Sequence, residues 1–286
     1  MPTPPDGLIH ISDTAFWTAA LRAQESERTD AIFHDPYARR LAGERGFEIV
    51  RLIRQPAVRY GVVLRTAAID RVVLAGIRER GCDTVLNLAA GLDARAFRLD
   101  LPSDLRWIDV DVPKVLDYKD GILAGESPRC AHEEVRLDLA DREPRSALFD
   151  RVGGESRRVL ILTEGLLSYL LPGEVALLAG DLHAPPTFAE WVTELTGSQV
   201  GGRVKGAGDK YRADDAKTRF APAEGSAFFA PFGWTEGGYL DLFLEAPTFG
   251  RDSLLGKTLR GIRLIAPKRA RAKLERGLGV VRLDRA

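Results

Sequence analysis

The feature that most constrains the fold is a mainly apolar run, Thr84 to Ala89, that leads into the small residues Ala90 and Gly91. A short run of this kind is typical of a strand buried on both faces of a parallel sheet. Small residues at its carboxyl end let the backbone approach a ligand closely before a helix begins. The pattern therefore predicts a strand, a ligand-binding turn and a helix.

A second apolar run, Leu105 to Ile108, ends in Asp109 and Asp111. Asp111 lies twenty positions after Gly91, close to the spacing of the carboxylate that holds ribose hydroxyls in nucleotide-binding folds. The ligand is therefore expected to carry a ribose. On glycine spacing alone, an ordinary tight turn followed by solvated aspartates fits equally well.

A dinucleotide is disfavoured at this turn. Its usual pattern is Gly-x-Gly-x-x-Gly, and here Ala89 and Ala94 occupy the first and third glycine positions. Asp93 adds a negative charge that would repel a pyrophosphate at the helix start. A cationic nucleoside without phosphates, such as S-adenosylmethionine, fits better.

Eight segments extend the argument along most of the chain, in a fixed order and spacing. They are Arg22 to Glu25, His34 to Ala38, Leu64 to Asp70, Asn87 to Leu99, Ile108 to Pro113, Asp138-Leu139, Glu164 to Leu170 and Gly233-Trp234. In these segments the chain resembles the leucine carboxyl methyltransferase-like family of S-adenosylmethionine-dependent O-methyltransferases. The resemblance implies a class I methyltransferase fold, S-adenosylmethionine as cofactor and S-adenosylhomocysteine as product.

The chain departs from that family at the glycine turn. The usual pattern is Leu-Gly-Ala-Gly-x-Asp-Thr-Arg, whereas this chain has alanine at positions 89 and 94. The resemblance implies that Ala89 and Gly91 contact the cofactor. A left-handed backbone at Ala89 would cost roughly 1–2 kcal/mol, and an extended one would cost little.

The resemblance also implies roles for five other residues. Arg65 would pair with the methionine carboxylate, Asp111 would accept the ribose hydroxyls, Asp138 and Leu139 would flank the adenine, and Glu164 would face the methionyl amine. The residue types suit these roles, because guanidinium binds carboxylate through paired hydrogen bonds and carboxylates accept from hydroxyls and ammonium groups.

Two further residues are candidates for contact with the cofactor or the acceptor. Arg22 is a candidate to bind the cofactor carboxylate or an acidic substrate, although an arginine on an amphipathic helix is often a solvated face. Tyr169 is a candidate to line the acceptor pocket, although an aromatic residue after a buried strand often belongs to the core.

The periodicity predicts an α/β architecture, a doubly wound Rossmann-like sheet with an N-terminal helical cap. We expect the cap over residues 1–80 and the cofactor domain over 81–286, with a mobile loop near 197–218. Predicted strands are Val85 to Ala89, Leu105 to Asp109, Glu134 to Leu137, Val159 to Thr163 and Phe188 to Leu195, with helices at Pro113 to Leu123 and Pro172 to His183. Phe228 to Trp234 and Tyr239 to Leu244 are predicted to close the sheet.

Composition excludes several function classes. The 41 basic and 41 acidic residues balance, which argues against nucleic-acid or membrane partners. No apolar stretch reaches membrane-spanning length and no secretory signal is evident, so a cytoplasmic location is expected. Two distant cysteines and four scattered histidines predict no disulfide and no metal site.

The leading hypothesis is an S-adenosylmethionine-dependent O-methyltransferase that acts on a carboxylate or hydroxyl of a small molecule or peptide, in secondary metabolism. An ionised carboxylate needs no general base, whereas a hydroxyl does. The alternatives are an NAD(P)-dependent oxidoreductase, opposed by Ala89 and Ala94, and a non-catalytic scaffold on the same fold.

Overall fold

The computed structural model describes residues 11–196, 217–252, 254–267 and 276–286. Its helices are α1 (Ile11–Ser26), α2 (Ala38–Leu52), α3 (Pro56–Arg78), α4 (Arg95–Arg98), α5 (Pro113–Leu123), α6 (Arg142–Glu155), α7 (Pro172–His183) and α8 (Leu254–Ile265). Its strands are β1 (Thr84–Leu88), β2 (Arg106–Asp111), β3 (Ala131–Arg136), β4 (Val159–Thr163), β5 (Phe188–Thr196), β6 (Trp234–Asp241) and β7 (Leu278–Arg285).

Within the described residues, the strands form one sheet in the order β3-β2-β1-β4-β5-β7-β6. Strands β1 to β5 are parallel, and β7 runs antiparallel between β5 and β6. The strand order reverses between β1 and β4, which is where open α/β sheets bind ligands beyond the strands' carboxyl ends. The predicted doubly wound Rossmann-like fold is confirmed.

Helices cover both faces of this sheet. Every residue of β1 and β4 is buried, as expected for central parallel strands. Alternate residues of β1 belong to two hydrophobic cores. Val85 lies in a core with residues of α1, α2 and α3, whereas Leu86 lies in a core with residues of α6 and α7. The N-terminal helices therefore share a core with one face of the sheet, and the division at residue 80 stays a prediction.

The predicted closing strands are partly wrong. Gly225–Phe232 forms a 3₁₀ helix, and β6 begins at Trp234 and ends at Asp241. Pro231 cannot donate to a strand ladder, and Gly233, with φ 82°, turns the chain before β6. Most of the loop predicted near 197–218 lies outside the described residues. Across the described part of the chain, no helix combines the length and apolar character needed to cross a membrane.

Candidate active site

The turn after β1 is held in an unusual backbone conformation. Ala89 has φ 53° and Gly91 has φ 55°, and Ala89 is the only non-glycine residue with positive φ in the described ranges. The left-handed conformation considered from the sequence is therefore present, with its expected cost of roughly 1–2 kcal/mol. A Cβ added at Gly91 would lie 3.4 Å from the Ala15 Cβ, so α1 packs directly over this turn.

The strain at Ala89 gives a testable result. Ala89→Gly is expected to raise the free energy of unfolding by about 1 kcal/mol, because glycine adopts positive φ without the Cβ penalty. Ala90→Gly, at the next position and without positive φ, is the matched control and should lower stability. Urea denaturation measures both; a destabilising Ala89→Gly would contradict the strain argument.

Asp111, the last residue of β2, lies against this turn. Its Oδ2 accepts a hydrogen bond from the Gly91 amide at 2.7 Å, and its Oδ1 accepts one from the Val112 amide at 2.7 Å. Burial raises the pKa of Asp111, and the two amides act in the opposite direction. Each carboxylate oxygen keeps a further lone pair, so the side chain can also accept two hydroxyls.

Arg65 on α3 and Glu164 after β4 are brought together at the same edge of the sheet. A guanidinium nitrogen of Arg65 lies 3.0 Å from Glu164 Oε1, and Arg95 Nη1 donates to Glu164 Oε2 at 2.7 Å. Burial opposes ionisation of Glu164, but the charges of Arg95 and Arg65 outweigh it and lower its pKa to about 2. The site therefore presents a cation and a fixed anion side by side.

Arg95 holds the Glu164 carboxylate, a role that was not predicted from the sequence. Its Nε donates to Asp70 at 2.6 Å and its Nη1 to Asp93 at 2.6 Å, and its side chain is only 2% exposed. A second buried acid, Glu194 on β5, lies 3.6 Å from Arg65. Asp70, Asp93 and Arg95 all fall inside the matched segments, which is the signal that could have found them.

The adenine candidates follow β3. The Leu137 amide donates to the Asp111 carbonyl at 2.9 Å, which brings Asp138 and Leu139 to the same edge of the sheet. Asp138 is exposed and its Oδ1 caps the Ala140 amide at 2.9 Å, whereas Leu139 is half-buried. An apolar side chain and an exposed carboxylate at this edge are compatible with a purine, but the adenine role stays a prediction.

The two remaining candidates differ in their surroundings. Arg22 is buried: its Nε donates to Asp35 at 2.8 Å and its Nη2 to the Leu92 carbonyl at 2.6 Å, so it joins α1 to the turn after β1. Tyr169 is half-buried in a 3₁₀ helix after Glu164. Contact of either residue with cofactor or acceptor remains a prediction.

Comparison with known proteins decides the family. The sequence model of leucine carboxyl methyltransferases matches residues 15–182, more than half of the chain. The chain belongs to the leucine carboxyl methyltransferase family. A relative in Mycobacteroides abscessus is 32% identical over 86% of each chain, and one in Saccharopolyspora erythraea is 35% identical over 60% of this chain and 63% of its own length. Both are classed by name with the S-adenosyl-L-methionine-dependent methyltransferases.

Solved structures agree on the fold. A DUF574-family protein from Streptomyces avermitilis MA-4680 has a TM-score of 0.59 and 16% identity, with 94% of this chain and 97% of that chain covered. A protein from Thermobifida fusca YX, described as a methyltransferase, has a TM-score of 0.56 and 16% identity, with 99% and 98% covered. Membership of the leucine carboxyl methyltransferase family makes S-adenosylmethionine the cofactor, and the NAD(P) alternative is not supported.

A separate buried cluster of this family member resembles a metal site by composition. Ligand atoms of Asp109, His132 and Glu134 lie within 4.8 Å of one another. The Lys119 ammonium, wholly buried, lies 2.5 Å from Asp109 and 3.6 Å from Glu134. It already supplies the positive charge that a metal would bring, and we assign no metal role to this cluster.

Glu134 makes the stability of this cluster depend on pH. Burial raises its pKa to about 7, so the folded state favours the protonated acid. A raised pKa contributes stability below the unfolded value near 4.5, and this contribution is lost as the pH rises through about 7. Glu134→Gln should therefore gain about 1–2 kcal/mol relative to wild type between pH 5 and pH 8. Denaturation of both proteins at pH 5 and at pH 8 tests this. The same difference in free energy of unfolding between the two proteins at both pH values would contradict it.

Proposed function

We propose that this chain transfers a methyl group from S-adenosylmethionine to an oxygen atom of a small molecule or peptide, with a carboxylate as the preferred acceptor. The observation that carries the proposal is the pairing of Arg65 with Glu164 at the strand edge that also holds Asp111. An amino-acid group carries one carboxylate and one ammonium, which match the charges of Arg65 and Glu164. The ribose hydroxyls match the free acceptor capacity of Asp111.

The bound cofactor supplies an electrophilic methyl group on a sulfonium, and the chain's residues supply position. Arg65 and Glu164 would hold the methionine end, Asp111 the ribose, and Asp138 with Leu139 the adenine. Arg95 donates to Glu164 and is itself held by Asp70, so it keeps Glu164 ionised and fixed. Rigid placement of this kind lowers the entropic barrier of an in-line displacement.

Within the described residues, the groups around the Arg65–Glu164 pair favour a carboxylate acceptor. With its pKa lowered to about 2, Glu164 cannot take a proton near neutral pH. Of the three described histidines, His132 is engaged with Asp109, His183 packs against Trp234 and His34 is exposed. A carboxylate needs no deprotonation at this pH, whereas an alcohol or phenol does.

The balanced charge of the chain supports a small or neutral acceptor rather than a polyanion.

We also propose a place in secondary metabolism and a cytoplasmic location, both of which are expectations from the sequence. Fractionation of the native host measures the location directly. Finding the chain in the membrane fraction would contradict it.

Methyl transfer from labelled S-adenosylmethionine to a panel of carboxylic acids and phenols tests the reaction. Methyl esters release methanol in mild base, whereas methyl ethers are stable, so the volatile label separates the two acceptor classes. We expect volatile label with carboxylic acids and none with the Arg65→Ala variant. Only base-stable product would overturn the carboxylate preference, and cofactor binding without transfer to any acceptor would favour the scaffold alternative.

A further inference from the structure

A cavity of about 400 Å³ lies between α1, α2 and α5, outside the cluster of Arg65 and Glu164. This volume falls within the range of small-molecule sites, which are mainly apolar with a few polar groups. Its apolar lining includes Phe16, Leu92, Val115 and Tyr118. The rings of Phe16 and Tyr118 meet edge to face with centroids 5.1 Å apart, an arrangement that suits contact with a further ring.

A break in α2 shapes one wall of the cavity. Gly43 has φ 51° and ψ −171° inside the helix, so the helix kinks there. Tyr118 Oη donates to the Leu41 carbonyl at 3.1 Å, just before the kink. A Cβ at position 43 would lie 3.3 Å from Tyr118 Oη, in a backbone region that side chains rarely adopt. Glycine at this position therefore keeps both the kink and the tyrosine in place.

The cavity shares residues with the proposed cofactor turn. Leu92 directly follows Gly91, whose amide binds Asp111. Lys114 and Val115 come three and four residues after Asp111, in the first turn of α5. A molecule in the cavity would consequently lie beside the segments expected to hold the nucleoside.

The charged residues at the cavity differ between its α5 side and its α2 side. Arg45 is neutralised by Asp13, with two hydrogen bonds of 2.9 and 2.7 Å. Lys114 is exposed on the α5 side and has no hydrogen bond or ion pair with any residue in the described ranges, whereas the acids Glu44 and Glu48 lie on the α2 side, Glu48 at 3.4 Å from Arg45. An acid would be attracted to the α5 side, towards Lys114 and away from Glu44.

We propose that this cavity binds the methyl acceptor, and that the acceptor is a ring-bearing carboxylic acid with its ring against Phe16 and Tyr118 and its acid near Lys114. The inference rests on the proposed function and names its substrate class. Val115 and Tyr118 would then select the acceptor by the shape of its apolar body.

The binding test uses 2-naphthoate, a two-ring acid, titrated by calorimetry into the full chain saturated with S-adenosylhomocysteine. We expect one saturable site per chain. Val115→Trp, which fills the cavity, should weaken 2-naphthoate at least tenfold. Lys114→Glu should weaken it about fivefold and leave the neutral analogue naphthalene-2-carboxamide unchanged. Lys257→Glu, on the exposed surface of α8, is the matched charge control and should change neither.

The affinity for S-adenosylhomocysteine separates the possible failures. An unchanged affinity shows that each variant is folded; if Val115→Trp does not fold, the surface variant Lys114→Glu still decides the question. Loss of 2-naphthoate binding in Val115→Trp together with intact S-adenosylhomocysteine binding supports the proposal. No binding of 2-naphthoate to the saturated chain, or equal binding to every variant, overturns it. A wild-type chain that binds no S-adenosylhomocysteine refutes the proposed cofactor site instead.

A kinetic readout links the cavity to the reaction. With a ring-bearing acid as acceptor, Val115→Trp should raise the acceptor KM at least tenfold without altering the KM for S-adenosylmethionine. Equal increases in both KM values would place the cavity in cofactor binding and overturn the acceptor assignment.

Discussion

Asp111→Ala is expected to weaken S-adenosylhomocysteine binding about 100-fold or more. The ribose hydroxyls would lose two hydrogen bonds to a charged acceptor, each worth about 1.5–3 kcal/mol. The same side chain also caps the Gly91 and Val112 amides at 2.7 Å, so the turn itself would lose support. Calorimetric titration of the wild type and the variant measures the difference.

The matched control for this result is Asp117→Ala. Asp117 lies on α5, six residues further on, and pairs with Arg136 on the protein surface. It should bind S-adenosylhomocysteine as the wild type does, because exposed ion pairs contribute little to stability. An unchanged affinity in Asp111→Ala would show that the ribose does not bind at this end of β2.

The second large effect is expected for stability, at the buried cluster of Asp109, Lys119, His132 and Glu134. Asp109→Ala should lower the free energy of unfolding by about 3–5 kcal/mol, because it leaves the Lys119 ammonium buried without its closest partner. Asp109 Oδ1 also accepts from Asn87 and Trp107, both at 2.8 Å, so two further donors lose their acceptor. Urea denaturation followed by circular dichroism measures this loss.

A second substitution tests the cause of that loss. Lys119→Met in the Asp109→Ala background removes the unpaired charge and should restore part of the stability, since apolar replacements of buried ion pairs are often tolerated. A double variant as unstable as the sum of the two single variants would show that the charges are not coupled.

The starts of two helices were predictable because proline marks them. Both α5 (Pro113–Leu123) and α7 (Pro172–His183) have the bounds expected from the sequence, as proline at the first helical position loses no hydrogen bond. The closing strands were less predictable, because the aromatic residues before Trp234 pack as a 3₁₀ helix against Trp191. That choice depends on a distant strand, which a local pattern does not contain.

For the candidate site, strand order made part of the prediction possible. Asp111, Asp138 and Glu164 each follow an apolar run, and parallel strands bring such residues to one edge. The role of Arg95 was not predictable from local pattern, because it comes from contacts with Asp70 and Glu164, 25 and 69 residues away. From the sequence alone an arginine is expected on the surface, because its distant partners are not known.

A crystal structure of the chain with S-adenosylhomocysteine tests the central claim, the position of the cofactor, most directly. We expect the ribose hydroxyls on the Asp111 carboxylate, the amino-acid carboxylate on Arg65 and the amino group facing Glu164. The nucleoside is also expected to lie outside the cavity lined by Phe16 and Tyr118. A nucleoside bound in that cavity, or anywhere away from Asp111, would contradict it.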